Sequence, residues 1–181
     1  MPSKKRFILL DRDGTITRDQ HYQKDPELTE LLPGSREGLV KLAQAGYALV
    51  LVTNQSGIAQ GLLSLSDLQR VNQRLADILL PDGVQFAGMY FCPHQDKDHC
   101  HCRKPKPGMA EQAGRELGFD PREAVVVGDR PCDIGLGKAI GGKTVLVRKA
   151  GDKGEEGGEE ADWVAADLLA AADWIIANIP G

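Results

Sequence analysis

Phe7-Ile8-Leu9-Leu10-Asp11-Arg12-Asp13-Gly14-Thr15 is the stretch on which the reading of this chain turns. The apolar run Phe7 to Leu10 reads as a buried strand. Asp11 and Asp13 leave its C-terminal end, followed by Gly14 and Thr15. Like charges this close repel, and burial disfavours their ionised forms. A bound cation removes both penalties. One carboxylate can then attack an electrophile while its neighbour handles a proton. The plainer alternative is an Asp-rich turn closing a strand, and the rest of the chain has to decide between them.

Outward from this stretch, strand-like and helix-like runs alternate. Residues 47–52, 84–91, 124–127 and 144–147 are further apolar strands, and Trp163-Val164 suggests a short edge strand. The segment 35–45 carries Leu39, Leu42 and Ala43 on one face and stops at Gly46, a C′ residue. Ser66 or Asp67 can cap a helix whose Leu68, Val71, Leu75, Ile78 and Leu79 follow a 3.6-residue period, ended by Pro81. Residues 107–117, 134–140 and 167–176 read as helices, and 151–160 as a polar, acidic loop. Trp163 and Trp174 read as core anchors, and Cys132 as a packed small residue. Strands alternating with helices predict an α/β fold, a doubly wound parallel sheet covered on both faces. The chain reads as a single domain, 1–181, whose only long insertions are 17–32 and 92–107.

Composition narrows the function. With 27% charged and 41% hydrophobic residues the chain should fold as a soluble globule. Its net charge of −4 and the lack of a large basic cluster argue against nucleic acid as a partner. No stretch reaches transmembrane length. The apolar run behind the basic start is too short for a signal peptide. These features predict a cytoplasmic protein, a monomer with no membrane partner.

In a parallel sheet, ligands bind beyond the carboxyl ends of the strands. Asp11 and Asp13 follow the first strand, Thr53-Asn54-Gln55-Ser56 the second, Arg103-Lys104 the third and Gly128-Asp129-Arg130 the fourth. This rim can serve a phosphate. Asp11 and Asp129 can hold Mg²⁺ with oxygen ligands, and the Asp13 carbonyl can add a third. At its reference pKa of about 3.9, Asp11 is expected to be ionised and able to attack phosphorus. Asp13 can give a proton to the leaving oxygen and later take one from water. Thr53 offers a hydroxyl and Lys104 a compact positive charge. Asp133 either holds Lys104 or the metal's waters, or caps the following helix.

Three of the four cysteines crowd into Cys92-x-His94-x5-Cys100-x-Cys102. Three thiolates and an imidazole form a closed tetrahedral zinc set, which argues for a structural Zn²⁺. His99 and His101 are spare candidates for the place of His94.

Together, Asp11-x-Asp13-Gly14-Thr15, Val52-Thr53-Asn54-Gln55, Arg103-Lys104-Pro105 and Gly128-Asp129 resemble the four motifs of the haloacid dehalogenase (HAD) superfamily of phosphatases. Asp19 to Tyr22, Thr53 to Ala59, Cys92-Pro93-His94, Cys102 to Pro105 and Pro107-Gly108-Met109 are closer still to the D-glycero-D-manno-heptose 1,7-bisphosphate 7-phosphatases. The resemblance implies a Rossmann-like HAD core, capless, with a zinc-binding loop over 92–107. It implies Asp11 as nucleophile, Asp13 as acid/base, and Asp11, Asp13 and Asp129 around Mg²⁺. Thr53, Arg103 and Lys104 match the groups that stabilise the transferring phosphoryl. Asp19, Gln20, His21, Tyr22, Thr53, Asn54, Gln55, Ser56, Arg103 and Lys104 match substrate contacts, and Arg130 stands where the branch often has Lys. The branch uses its equivalents of Cys92, His94, Cys100 and Cys102 to hold zinc.

The expected substrate is a small phosphorylated metabolite, first a heptose bisphosphate cleaved at its 7-phosphate and second histidinol phosphate. Gln60, where the branch commonly has a basic residue, leaves the bisphosphate assignment open. A polynucleotide 3′-phosphatase would want a basic channel. A non-catalytic zinc-stapled binding module would be expected to lack Asp11 or Asp13.

Overall fold

A computed structural model describes residues 6–148 and 160–179. Its elements are β1 (Phe7–Leu10), α1 (Ser35–Gln44), β2 (Ala48–Asn54), α2 (Leu65–Leu79), β3 (Phe86–Cys92), α3 (Gly108–Leu117), β4 (Val125–Gly128), α4 (Pro131–Ile140), β5 (Lys143–Val147), β6 (Trp163–Ala165) and α5 (Leu168–Asn178). The six strands form one sheet in the order β3-β2-β1-β4-β5-β6. Every neighbouring pair is parallel. The predicted doubly wound α/β sheet is therefore the observed one. The chain winds outward from β1 to β3, then returns to the other side of β1 at β4. That reversal opens a crevice between β1 and β4 at their carboxyl ends.

β1 is buried along its whole length, and its side chains alternate between the two faces. Ile8 and Leu10 join Leu39, Leu42, Leu75 and Ile175 beneath α1, α2 and α5. Phe7 and Leu9 join Val50, Val126, Met109 and Leu136 beneath α3 and α4. α2 begins in a capping box, with Ser64 and Asp67 exchanging side-chain and backbone bonds.

The boundaries differ from expectation where polar groups set them. α4 starts at Pro131 rather than at Ile134, where the apolar pattern begins. Proline suits the first helical turn, and the Asp133 carboxylate accepts from the Arg130 N–H at 3.0 Å. Trp163 is not a core anchor. It is 45% exposed because β6 is an edge strand, and it stacks on Trp174 with ring centroids 5.7 Å apart. Of the predicted loop 151–160, residues 151–159 lie outside the described residues. Among the described residues no helix is long and apolar enough to cross a membrane.

Candidate active site and metal centre

The loops behind β1, β2, β3 and β4 meet around a cavity of about 360 Å³. The first loop lines it with Asp11, Asp13, Asp19, His21 and Tyr22, and the second with Thr53, Asn54, Gln55 and Ser56. The third contributes Asp96, Arg103, Lys104 and Pro105, and the fourth Arg130, Cys132 and Asp133. Gln20 is not among the lining residues, and its amide donates to the Leu28 carbonyl.

The turn after β1 is tied down by its own backbone. Asp11 N–H donates to the Val127 carbonyl of β4 at 2.9 Å, and the Arg12 carbonyl accepts from Ile16 and Thr17 N–H at 2.9 Å each. Gly14 has φ +88, which favours glycine, and a Cβ there would stand 2.2 Å from Asp129 Oδ2. The first loop can therefore lie against the Asp129 carboxylate only with glycine at this position. Thr15 Oγ1 donates to Asp129 Oδ1 at 3.0 Å.

Lys104 is the cation at the centre. Its buried Nζ donates to Asp11 Oδ1 at 2.6 Å, Asp133 Oδ1 at 2.7 Å and the Val52 carbonyl at 2.9 Å. Asn54 fixes the lysine's backbone in turn, accepting from its N–H at 3.0 Å and donating to its carbonyl at 3.2 Å. The two roles weighed for Asp133, holding Lys104 and capping the helix, are filled together, one by each carboxylate oxygen.

Asp11, Asp129 and Asp133 bring oxygens within 4.8 Å of one another. Burial raises the Asp11 carboxyl to about 8, against the pull of Lys104 and with help from Asp133, Asp129 and Asp13. With no cation bound, removal from water thus disfavours the ionised form expected from sequence. Burial and then Asp133 raise Asp129 to about 6. An all-oxygen set of crowded, desolvated carboxylates suits a hard divalent cation such as Mg²⁺. The Asp13 carboxylate stands apart from this group, with both its oxygens taken by Arg12 at 2.9 and 2.8 Å. Gln55 links Asp13 and Thr53, donating to Asp13 Oδ2 at 2.8 Å and Thr53 Oγ1 at 2.9 Å. Cys132 lines the cavity, but burial and Asp133 push its thiol up to about 12, away from thiolate chemistry.

At the rim the remaining cations are paired. Arg103 donates to Asp96 Oδ1 at 2.5 Å and to the His94 carbonyl at 3.3 Å. Arg130 donates to Asp19 Oδ2 at 2.8 Å. Gln60 donates to the Tyr22 hydroxyl at 3.1 Å, so this position braces the rim loop.

Cys92, His94, Cys100 and Cys102 form a second ligand group, their donor atoms within 4.8 Å. His94 Nδ1 lies 3.3 Å from Cys102 Sγ. His101 instead meets Glu111 at 2.7 Å, and His99 occupies the left-handed end of a short turn. His94 is thus the imidazole that joins the thiols. Burial pulls the Cys100 thiol upward, but the Arg103 N–H and the neighbouring thiols bring it to about 7. Three soft sulfurs and one imidazole suit zinc.

Sequence reasoning passed over Arg12 and Asn72, which are buried and joined at 2.8 Å. The available signal was a polar residue on the apolar face of α2.

A family model for HAD-hydrolase-like proteins matches residues 101–171. The chain is 41% identical, over 91% of its length and 93% of the relative's, to a D-glycero-beta-D-manno-heptose-1,7-bisphosphate 7-phosphatase of Pasteurella multocida. It is 39% identical to the Haemophilus ducreyi protein of the same name, with 91% and 95% covered. A solved structure of D,D-heptose 1,7-bisphosphate phosphatase from B. bronchiseptica, complexed with magnesium and phosphate, is similar at TM-score 0.83 and 32% identity. That match covers 95% of this chain and 98% of the other.

Proposed function

The chain belongs to the D-glycero-beta-D-manno-heptose-1,7-bisphosphate 7-phosphatase family of HAD-like phosphatases, and from that premise we propose that it hydrolyses the 7-phosphate of this sugar bisphosphate. The β-anomer is the first choice, since the relatives are named for it. The observation that carries the reading is the Asp11 carboxylate, held at the end of β1 with Lys104 2.6 Å away and open to the shared cavity.

The residues divide the work as follows. Asp11 attacks phosphorus, an Asp11 O–P bond forms, and the P–O bond to the sugar breaks with its electron pair on the sugar oxygen. Asp13 gives that oxygen a proton. Asp13, now a carboxylate, takes a proton from a water whose oxygen attacks the phosphorus. The Asp11 O–P bond breaks and phosphate is released. Thr53, Arg103 and Lys104 hold the phosphoryl oxygens during both displacements. Asp11, Asp129 and the Asp13 carbonyl would hold Mg²⁺, which when bound neutralises phosphoryl charge and the crowded carboxylates. Asp19, His21, Tyr22, Asn54, Gln55, Ser56 and Arg130 line the space left for the sugar. Cys92, His94, Cys100 and Cys102 would hold a structural Zn²⁺ that orders the segment leading into Arg103.

The test is phosphate release, with magnesium, from heptose bisphosphates of both anomers, histidinol phosphate and a 3′-phosphorylated oligonucleotide. The expected result is preferred turnover of the β-heptose bisphosphate. Preferred turnover of histidinol phosphate or of the oligonucleotide overturns the substrate. No turnover of any phosphomonoester overturns the mechanism.

A further inference from the structure

Arg12 is a charged side chain only 2% exposed, and its guanidinium is spent on two residues far apart in the chain. Nε and Nη2 grip both oxygens of Asp13, at 2.9 and 2.8 Å. Nη1 donates to Asn72 Oδ1 at 2.8 Å, across 60 positions of sequence. Asn72 sits on the buried face of α2 beside Leu68, Val71 and Leu75 and is itself 8% exposed. A polar amide on that face is costly unless paired, and the carbonyl that Arg12 takes is its pair.

A guanidinium is a rigid planar fork. Bonds to two separate partners fix its plane, and the plane then fixes the carboxylate held in the fork. Asn72 is the end of this chain that stands on regular structure, because α2 packs into the core. Asp13 is the end that faces the cavity.

We propose that Asn72 and Arg12 are positioning residues for Asp13, with Asn72 anchoring the fork so that the carboxyl presents its proton to the leaving oxygen. The inference rests on the reading of Asp13 as proton donor. When Asp13 carries a proton, the oxygen bearing it turns from the fork toward the cavity. Asn72 keeps the guanidinium from following. Once the proton has passed to the leaving oxygen, the fork closes on the new carboxylate and holds it for the water step.

The test compares kcat/KM for two phosphate esters, since this ratio covers events up to departure of the leaving group. A sugar phosphate leaves as an alkoxide and needs the proton, whereas p-nitrophenyl phosphate leaves as a stable anion and does not. Asn72→Leu keeps the side chain's size and removes the acceptor. Against the about 10²- to 10⁴-fold that a positioned proton donor supplies, it is expected to lose about tenfold or more on the sugar phosphate and under about threefold on the aryl ester. Asn72→Asp, which keeps an acceptor in the same place, is expected to recover most of the loss. Equal losses on both esters, or no loss on either, overturn the proposal. Should Asn72→Leu not fold, Arg12→Lys retains the charge without the fork and is expected to show the same split. Asp13→Asn is run beside them. If it leaves sugar phosphate turnover intact, the reading of Asp13 fails and the relay with it. If it abolishes turnover while Asn72→Leu shows no split, the relay alone fails.

Discussion

Lys104 Nζ lies 2.6 Å from Asp11 Oδ1, a contact closed across 93 positions of sequence. Burial favours loss of the ammonium proton, but Asp11 and Asp133 hold the group above the ordinary lysine range. This buried cation thus stands between two buried carboxylates. Lys104→Met would leave Asp11 and Asp133 facing each other with no counter-charge from the chain. Breaking a buried pair from one side costs about 3–5 kcal/mol, and that is the loss expected in urea denaturation without added metal. A loss under about 1 kcal/mol would place the pair in the class of exposed ion pairs and contradict this account.

Asp11→Asn should reduce phosphate release to background while the fold is retained. The same variant carries a pH signature. Burial pushes the Asp11 carboxyl up to about 8 in the metal-free fold. Its unfolded value is about 3.9. Between those values the folded chain binds the extra proton, so this group lowers stability as pH rises, and its cost is complete above the folded value. Asn cannot ionise and escapes that cost. In metal-free buffer the Tm of Asp11→Asn relative to wild type should therefore climb from pH 5 to pH 9. A constant difference would mean that Asp11 is not desolvated as described.

What was legible in sequence is what strand alternation dictates. Once β1 to β4 are parallel, Asp11, Thr53, Lys104 and Asp129 must emerge at one edge, whatever the packing details. The link between Arg12 and Asn72 was not legible, because it depends on how α2 is rotated against the turn after β1. Exposure of Trp163 was hidden for a similar reason. Strand order, not local hydrophobicity, puts β6 at the edge. The choice among His94, His99 and His101 turned on backbone direction within a short loop, which ligand spacing leaves free. The start of α4 was written in Pro131 and Asp133, but the apolar period drew the boundary later.

Removing Gly14's freedom should disable the site without unfolding the sheet. Gly14→Ala would drive a Cβ to within 2.2 Å of Asp129 Oδ2 at a left-handed φ of +88. Either the turn or Asp129 must move. Weaker magnesium binding by calorimetry, together with lost turnover, is the expected result. Unchanged metal affinity would mean that the turn gives way and leaves Asp129 in place, so that glycine is not required here for the site.

Stripping the zinc proposed for Cys92, His94, Cys100 and Cys102 with a chelator should release the segment between Cys92 and Cys102, and with it Arg103, whose side chain bonds back to the His94 carbonyl at 3.3 Å. Turnover should fall and return with zinc alone, magnesium being present throughout. Limited proteolysis should cut this loop only in the stripped protein. Full activity after complete zinc removal, verified by metal analysis, would show that the loop holds its cations unaided.

The N-terminus of α2 permits a separate test of how the helix that carries Asn72 is secured. The Ser64 hydroxyl, the Ser64 N–H and Arg70 hold the Asp67 carboxyl at about 2. A depressed acid stabilises the fold fully above its unfolded value and loses that contribution as pH falls toward its folded value. Ser64→Ala removes the hydroxyl that caps the Asp67 N–H at 3.0 Å and meets its carboxylate at 2.7 Å. Loss of an N-cap hydroxyl costs about 1 kcal/mol at neutral pH. Because part of that cost runs through ionised Asp67, the difference between variant and wild type should be steady from pH 7 to pH 5 and shrink by pH 3. Chemical denaturation at the three pH values measures it. A difference that persists undiminished at pH 3 would assign the whole effect to the bond between hydroxyl and helix N–H, leaving the hydroxyl's bond to the Asp67 carboxylate no part in fixing the helix.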